Sequence, residues 1–231
     1  MVIELEVLKD AEAVAARGAA LIAEAARATV RVRNRFAMAV SGGTTPWAML
    51  HALANEDMPW DRVHVFQVDE RVAPAGHPDR NLTHLVECLS SGYLSHAAQV
   101  HPMAVEDDDL DRAAAAYEVS IRKIVADGVL DLVHLGLGAD GHTASLVPGD
   151  PVLDVEDRDV APTSLYQGRR RLTLTYPLIN RALRRVWLVT GAEKARALGH
   201  LLTGDSGIPA GRIAQRASVV VADEAAGRPR P

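Results

Sequence analysis

The chain predicts an α/β fold: a mostly parallel sheet flanked by helices on both faces. Three observations point to it. Short apolar runs alternate with longer alanine-rich or amphipathic stretches, the arrangement of strands joined by crossover helices. The apolar runs are nearly continuous rather than alternating, as strands buried on both faces require. With 231 residues, 48% of them hydrophobic and 24% charged, the chain can bury the core of a single α/β domain. One domain over 1–231 is expected, with 224–231 as a frayed tail.

Taken in order, the segment from Lys9 to about Val30 carries apolar residues at helical spacing and no proline, so it reads as a helix. "FAMAV" (36–40) reads as a strand, and a helix follows from Pro46 through about Ala54. "VHVFQV" (63–68) is a second strand, and a helix is predicted near Asn81–Leu89. A short strand is expected in "AQVHPM" (98–103). The stretch 108–128 is acidic at its start, with Arg122 and Lys123 near its end, matching the helix dipole. Further parallel strands are read in "LDLVHLGLG" (130–138), "RLTLTY" (171–176), "RVWLVTG" (185–191) and "SVVVAD" (218–223). Residues 147–170 show no regular pattern, and a connection that long is usually a lid or a disordered excursion.

Bulk properties narrow the partners. A net charge of −5 argues against nucleic acid or an anionic membrane, which want a basic surface. The opening "MVIELEVLKD" lacks the basic and apolar regions of a signal peptide, and no run reaches the ~18 apolar residues of a membrane span. A cytoplasmic protein is expected. The single cysteine, Cys88, sits inside a predicted helix and reads as a buried structural thiol. The histidines at 51, 64, 77, 84, 96, 101, 134 and 200 show no metal-binding spacing, so no metal is expected.

Chemistry-bearing residues gather where strands end, which is where open parallel sheets bind ligands. "SGGTTP" places Ser41, Gly42, Gly43, Thr44 and Thr45 before a helix opened by Pro46. Its backbone amides suit a phosphate, although a tight strand-to-helix turn would use the same residues. "VDERVAP" brings Asp69, Glu70 and Arg71 to a strand end; Arg71 could hold a phosphate or bridge its own acidic neighbours. In "HPDRNLT", Arg80 and Asn81 open another helix, with Asp79 or Asn81 as a possible N-cap. "GADGHTAS" sets Asp140 one glycine away from His142. An imidazole there can accept and return a proton, with the carboxylate orienting it; an Asx-turn is the structural reading. "RRRLTLT" carries Arg169, Arg170 and Arg171, a solvated run or a site for an anionic substrate.

Five blocks in order, "AVSGGTTP", "FQVDERVAP…HPDRN", "GLGADGHTASLVPG", "RRLTLTYPLINRA" and "VWLVTGAEKARAL", resemble the 6-phosphogluconolactonases. The resemblance implies a modified Rossmann-like fold shared with glucosamine-6-phosphate deaminases and ribose-5-phosphate isomerases. The deaminases typically have "DEY" and "GHIAFNEP" where this chain has "DER" and "GHTASLVP"; their loop glutamate has no counterpart between His142 and Pro148. A deaminase, an isomerase or a non-catalytic sugar-phosphate sensor are the alternatives. The chain departs from the family at "TSLYQGRRRLTLT", where a proline-rich approach with a lysine is usual.

What the resemblance implies is hydrolysis of 6-phospho-D-glucono-1,5-lactone in the oxidative pentose phosphate pathway, without cofactor. His142 would be the general base, oriented by Asp140, with Arg71 as a third catalytic residue. Ser41, Gly42, Gly43, Thr44, Asp69, Arg80, Asn81, Arg171 and Lys194 would bind the substrate and its phosphate. The expected partner is that small molecule alone, and the enzyme a monomer or small homo-oligomer.

Overall fold

The structure, a computed structural model, describes residues 3–90 and 99–227. An edge strand, β1 (Glu4–Leu8), leads into the long helix α1 (Ala11–Arg33). Asp10 caps that helix by accepting from the Ala13 amide at 2.8 Å, which satisfies one of its orphan donors. Next come β2 (Phe36–Val40), α2 (Thr44–Leu53), β3 (Val63–Gln67), a short β4 (Asp69–Arg71) and α3 (Asn81–Ser90). β5 (Gln99–His101) and α4 (Leu110–Ile124) precede β6 (Leu132–Gly136). The remainder is β7 (Val160–Pro162), β8 (Arg171–Leu174), α5 (Tyr176–Arg181), β9 (Arg185–Val189), α6 (Ala195–Thr203), β10 (Ser218–Asp223) and α7 (Glu224–Gly227).

Among the described residues, seven strands form a parallel sheet in the order β1-β10-β9-β6-β2-β3-β5. Pleating sends alternate side chains to opposite faces. Phe36, Met38 and Val40 of β2 join α1, α2 and α3 in one core, whereas Ala37 and Ala39 join α4, α5 and α6 in the other. Both faces are therefore covered, as the continuous apolar runs demand.

After β2 the chain steps outward to β3 and β5; after α4 it returns to the other side of β2 as β6. That reversal makes β2 and β6 the topological switch point, where a crevice opens beyond the carboxyl ends. The two strands pair only through Met38↔Leu132 and Ala39↔Val133, so they part company before their ends. His134 fills the seam: its Nδ1 accepts from the Ser41 amide at 3.4 Å, and Ser41 Oγ donates to its carbonyl at 3.0 Å.

Several expectations need correction. "RLTLTY" does not enter the parallel sheet. It forms β8, antiparallel to β4 and β7 in a separate three-stranded sheet. The stretch 147–170 is not irregular throughout: it contains a 3₁₀ turn at Pro151–Asp154 and β7. Asp150 caps that turn and also accepts from Ser164 N at 3.0 Å, tying the excursion down. Residues 224–227 are helical rather than frayed, because Asp223 accepts from Ala226 N at 2.8 Å; 228–231 lie outside the described residues, as do His96 and the start of the 98–103 strand. β1 was not anticipated. Cys88 is buried in α3, and desolvation pushes its thiol up to about 11. Among the described residues, no helix is long and apolar enough to cross a membrane.

Candidate active site

A cleft of about 360 Å³ lies over the switch point. It is lined by the turn after β2, the loop after β6, the end of β9 and the face of the small sheet. Ser41, Gly42, Gly43, Thr44, Asp69, Arg71, Asn81, His142, Arg171 and Lys194 all line it, and Asp140 stands directly behind His142. Arg80 does not reach it. Its side chain is buried between Glu70 and Glu106 and donates to the Ala73 carbonyl, so it is a support of the β4–α3 corner rather than a cleft residue.

At one end, α2 begins with Gly43 as its N-cap, at φ +124° and with no side chain capping the helix. The first-turn amides are thus left for a ligand, and the dipole favours an anion there. Lys194 and Thr190 line the same cleft, and Thr190 Oγ1 is 2.7 Å from Thr45 Oγ1. Gly42 is needed for close approach: a Cβ there would fall 2.0 Å from Asn81 Oδ1 and 2.9 Å from the Trp47 ring. Ser41 Oγ and the Ser41 amide are both engaged with His134, so Ser41 ties the turn to β6 at the cleft floor.

The small sheet supplies the middle of the cleft. β4 and β8 pair Asp69 with Thr173 and Arg71 with Arg171, and alternation puts these four on one face and Glu70 on the other. Directly opposed like charges disfavour a sheet, a cost that an anion bound between the two guanidiniums would offset. Arg71 Nη1 donates to the Asp79 carbonyl and Arg171 Nη1 to Ser145 Oγ, while the Nε of each is buried without a partner. Burial depresses Arg171 from the usual guanidinium range despite nearby Asp69. Asp69 accepts from Ser145 Oγ at 2.5 Å and from Asn81 Nδ2 at 3.3 Å.

On the far side, His142 Nδ1 sits 2.6 Å from Asp140 Oδ1, which also accepts from the His142 amide at 3.1 Å. A proton on Nδ1 shared with Asp140 leaves Nε2 as the basic nitrogen. Asp140 is half-exposed; burial raises its carboxyl, but the His142 amide and ring outweigh this and hold it below the usual range. Gly138 makes the geometry possible, because a Cβ there would lie 2.2 Å from His142 Nδ1. Tyr166 donates toward Asp140 Oδ2 at 3.4 Å and meets His142 edge-on at 5.9 Å.

Sequence reasoning missed Ser145, Thr190 and Tyr166. Ser145 lies within the "GHTAS" block, and its depth on the small sheet was the missing signal. Among the described residues, no group of three or more His, Cys, Asp or Glu is placed to hold a metal.

Residues 9–222 match the family described as glucosamine-6-phosphate isomerases/6-phosphogluconolactonase. The chain belongs to this family. The 6-phosphogluconolactonase of Synechocystis sp. is 40% identical over 179 residues, covering 75% of this chain and 74% of that one. The Mycobacterium tuberculosis 6-phosphogluconolactonase is 34% identical over 213 residues, 87% and 86% of the two chains. Among solved structures, the Thermotoga maritima 6-phosphogluconolactonase superposes with a TM-score of 0.82 at 27% identity, covering 95% and 98%. A monomeric glucosamine-6-phosphate deaminase gives 0.80 at 18% identity, covering 99% and 100%, a likeness of fold. The family and the expected fold class are thus both in hand.

Proposed function

We propose that this chain hydrolyses 6-phospho-D-glucono-1,5-lactone to 6-phosphogluconate, the product of lactone opening in the oxidative pentose phosphate pathway. One observation carries the reading: the Asp140–His142 pair and the opposed Arg71 and Arg171 converge on a single cleft at the switch point. A base beside two cationic groups is what ester hydrolysis needs. Membership of a family whose relatives of 34–40% identity are named 6-phosphogluconolactonases supports the same substrate.

In the proposed step, His142 Nε2 takes a proton from water as its oxygen attacks C1. The carbonyl becomes a tetrahedral oxyanion, stabilised by the guanidiniums. Collapse breaks the C1–O5 bond, and His142 returns the proton to the departing ring oxygen. Asp140 holds the ring and stabilises the imidazolium between these transfers. The distant phosphate, held by the Gly42–Thr45 amides and Lys194, aims C1 at His142. Asp69, steadied by Ser145 and Asn81, accepts hydrogen bonds from sugar hydroxyls. The proposed enzyme is a monomer or small homo-oligomer, and its proposed setting is the cytoplasm.

Lactone hydrolysis coupled to 6-phosphogluconate dehydrogenase, above the spontaneous rate, tests the reading. Ammonia release from glucosamine 6-phosphate with no lactonase rate would replace it with the deaminase activity. In Arg71→Ala, weakened transition-state stabilisation lowers kcat/KM by about 10²-fold; unchanged kcat/KM would remove Arg71 from the site.

A further inference from the structure

Tyr166 belongs to none of the five family blocks, yet it touches both halves of the reactive end. Its ring faces the Arg171 guanidinium, with Cζ 5.0 Å from the centroid. The same ring meets His142 edge-on at 5.9 Å, and its hydroxyl lies 3.4 Å from Asp140 Oδ2. Proton shuttle and cation therefore share one aromatic wall.

That wall is held in place. Tyr166 and Arg169 form a bridge, with Tyr166 N donating to Arg169 O at 3.0 Å and Arg169 N returning at 3.2 Å. Between them, Gln167 at φ 50° and Gly168 at φ 78° take the left-handed conformations of a tight hairpin turn. Arg169 Nε is anchored on Asp79 Oδ2 at 2.6 Å. Gln167 Oε1 accepts from Arg171 Nη2 at 3.3 Å, so the hairpin tip grips that arginine from a second direction. The segment 163–171 is thus a braced arm, beginning within the 147–170 stretch that the sequence alone reads as a lid or a disordered excursion.

We propose that Tyr166 is a positioning residue for the reaction. Its hydroxyl and ring edge set the Asp140–His142 pair, while its face sets Arg171. This rests on the lactonase reading for its kinetic consequence, though the positioning itself does not depend on the substrate. An aromatic face over a guanidinium contributes about 0.5–1 kcal/mol at such partly exposed sites, a twofold to fivefold effect.

The test uses the full chain with Tyr166→Phe and Tyr166→Leu, each checked for a parental thermal midpoint. Tyr166→Phe keeps the ring, so KM stays parental while kcat falls about threefold through the lost contact with Asp140. Tyr166→Leu loses both contacts; KM rises about fivefold and kcat falls about tenfold or more. Without any substrate, ¹⁵N NMR of the His142 imidazole shows a single Asp140-bound Nδ1–H ring in the parent and in Tyr166→Phe. In Tyr166→Leu the ring nitrogens average. An unaltered His142 spectrum together with parental kcat and KM in Tyr166→Leu would overturn the proposal. A parent without lactonase activity would instead defeat the functional reading, and the NMR comparison would still decide the positioning role.

Discussion

The proposed base, His142, has one of its ring nitrogens occupied by Asp140. Asp140 Oδ1 binds both the ring Nδ1 and the backbone amide of His142, so the carboxylate chooses the ring's tautomer and its rotamer together. Asp140 is held below the ordinary carboxylate range and stays ionised through neutral pH. Asp140→Asn keeps the shape but removes the charge that, in the proposed step, stabilises the imidazolium. Its kcat is expected to fall by about 10²-fold or more with KM little changed, read from steady-state kinetics; a parental kcat would make Asp140 only a turn residue. The pair was legible because two chemistry-bearing residues one glycine apart stood at a strand end. Arg80 was misjudged for the opposite reason: an arginine beside a cleft motif looks the same in sequence whether it faces ligand or core. Only the buried Glu70 across from it shows which.

At the scale of elements, the short β4 strand does most to build the site. Its alternation sends Asp69 and Arg71 to the cleft and Glu70 behind it. Glu70 accepts from Gln67 Nε2 and from the amides of Arg71, Asn81 and Leu82, each at 2.8 Å, and pairs with Arg80 at 3.2 Å. One buried carboxylate thus satisfies the start of α3 and fixes the angle at which Asn81 enters the cleft. Glu70→Ala orphans the amides of Arg71, Asn81 and Leu82 and leaves Arg80 with Glu106 as its remaining carboxylate, and we expect a loss of about 3–5 kcal/mol of stability. Urea unfolding measures it, and a loss below about 1 kcal/mol would show the corner held by other contacts. The long helices were legible from their periodicity, and six strands of the parallel sheet, all but β1, from their short apolar runs. The small sheet was not: β4 and β7 are three residues each and β8 four. Pieces that short carry too little pattern to reveal their antiparallel partners, and β8 has the same apolar character as a parallel strand.

Across the whole molecule, the reversal of strand order between β2 and β6 opens the cleft, and His134 occupies the seam beneath it. Burial pushes this imidazole from 6.5 down to about 4. Between those values the unfolded chain binds a proton that the folded one refuses, so stability falls as the pH drops from 6.5 to 4. The loss is about 3 kcal/mol over that window. His134→Gln retains an acceptor for the Ser41 amide and should remove that part of the slope; equal pH slopes for variant and parent, by urea unfolding at pH 7 and pH 4.5, would contradict it. The carboxyl-end position of the cleft could be read from three polar clusters at strand ends, because parallel sheets bind ligands there whatever the chemistry; which pair of strands opens it took the strand order. Whether His142 is the base at this crevice is decided by the lactonase rate of His142→Ala against the parent, corrected for spontaneous ring opening. A fall of about 10²–10⁴-fold with an unchanged thermal midpoint is expected; a near-parental rate would remove His142 from the proton transfer.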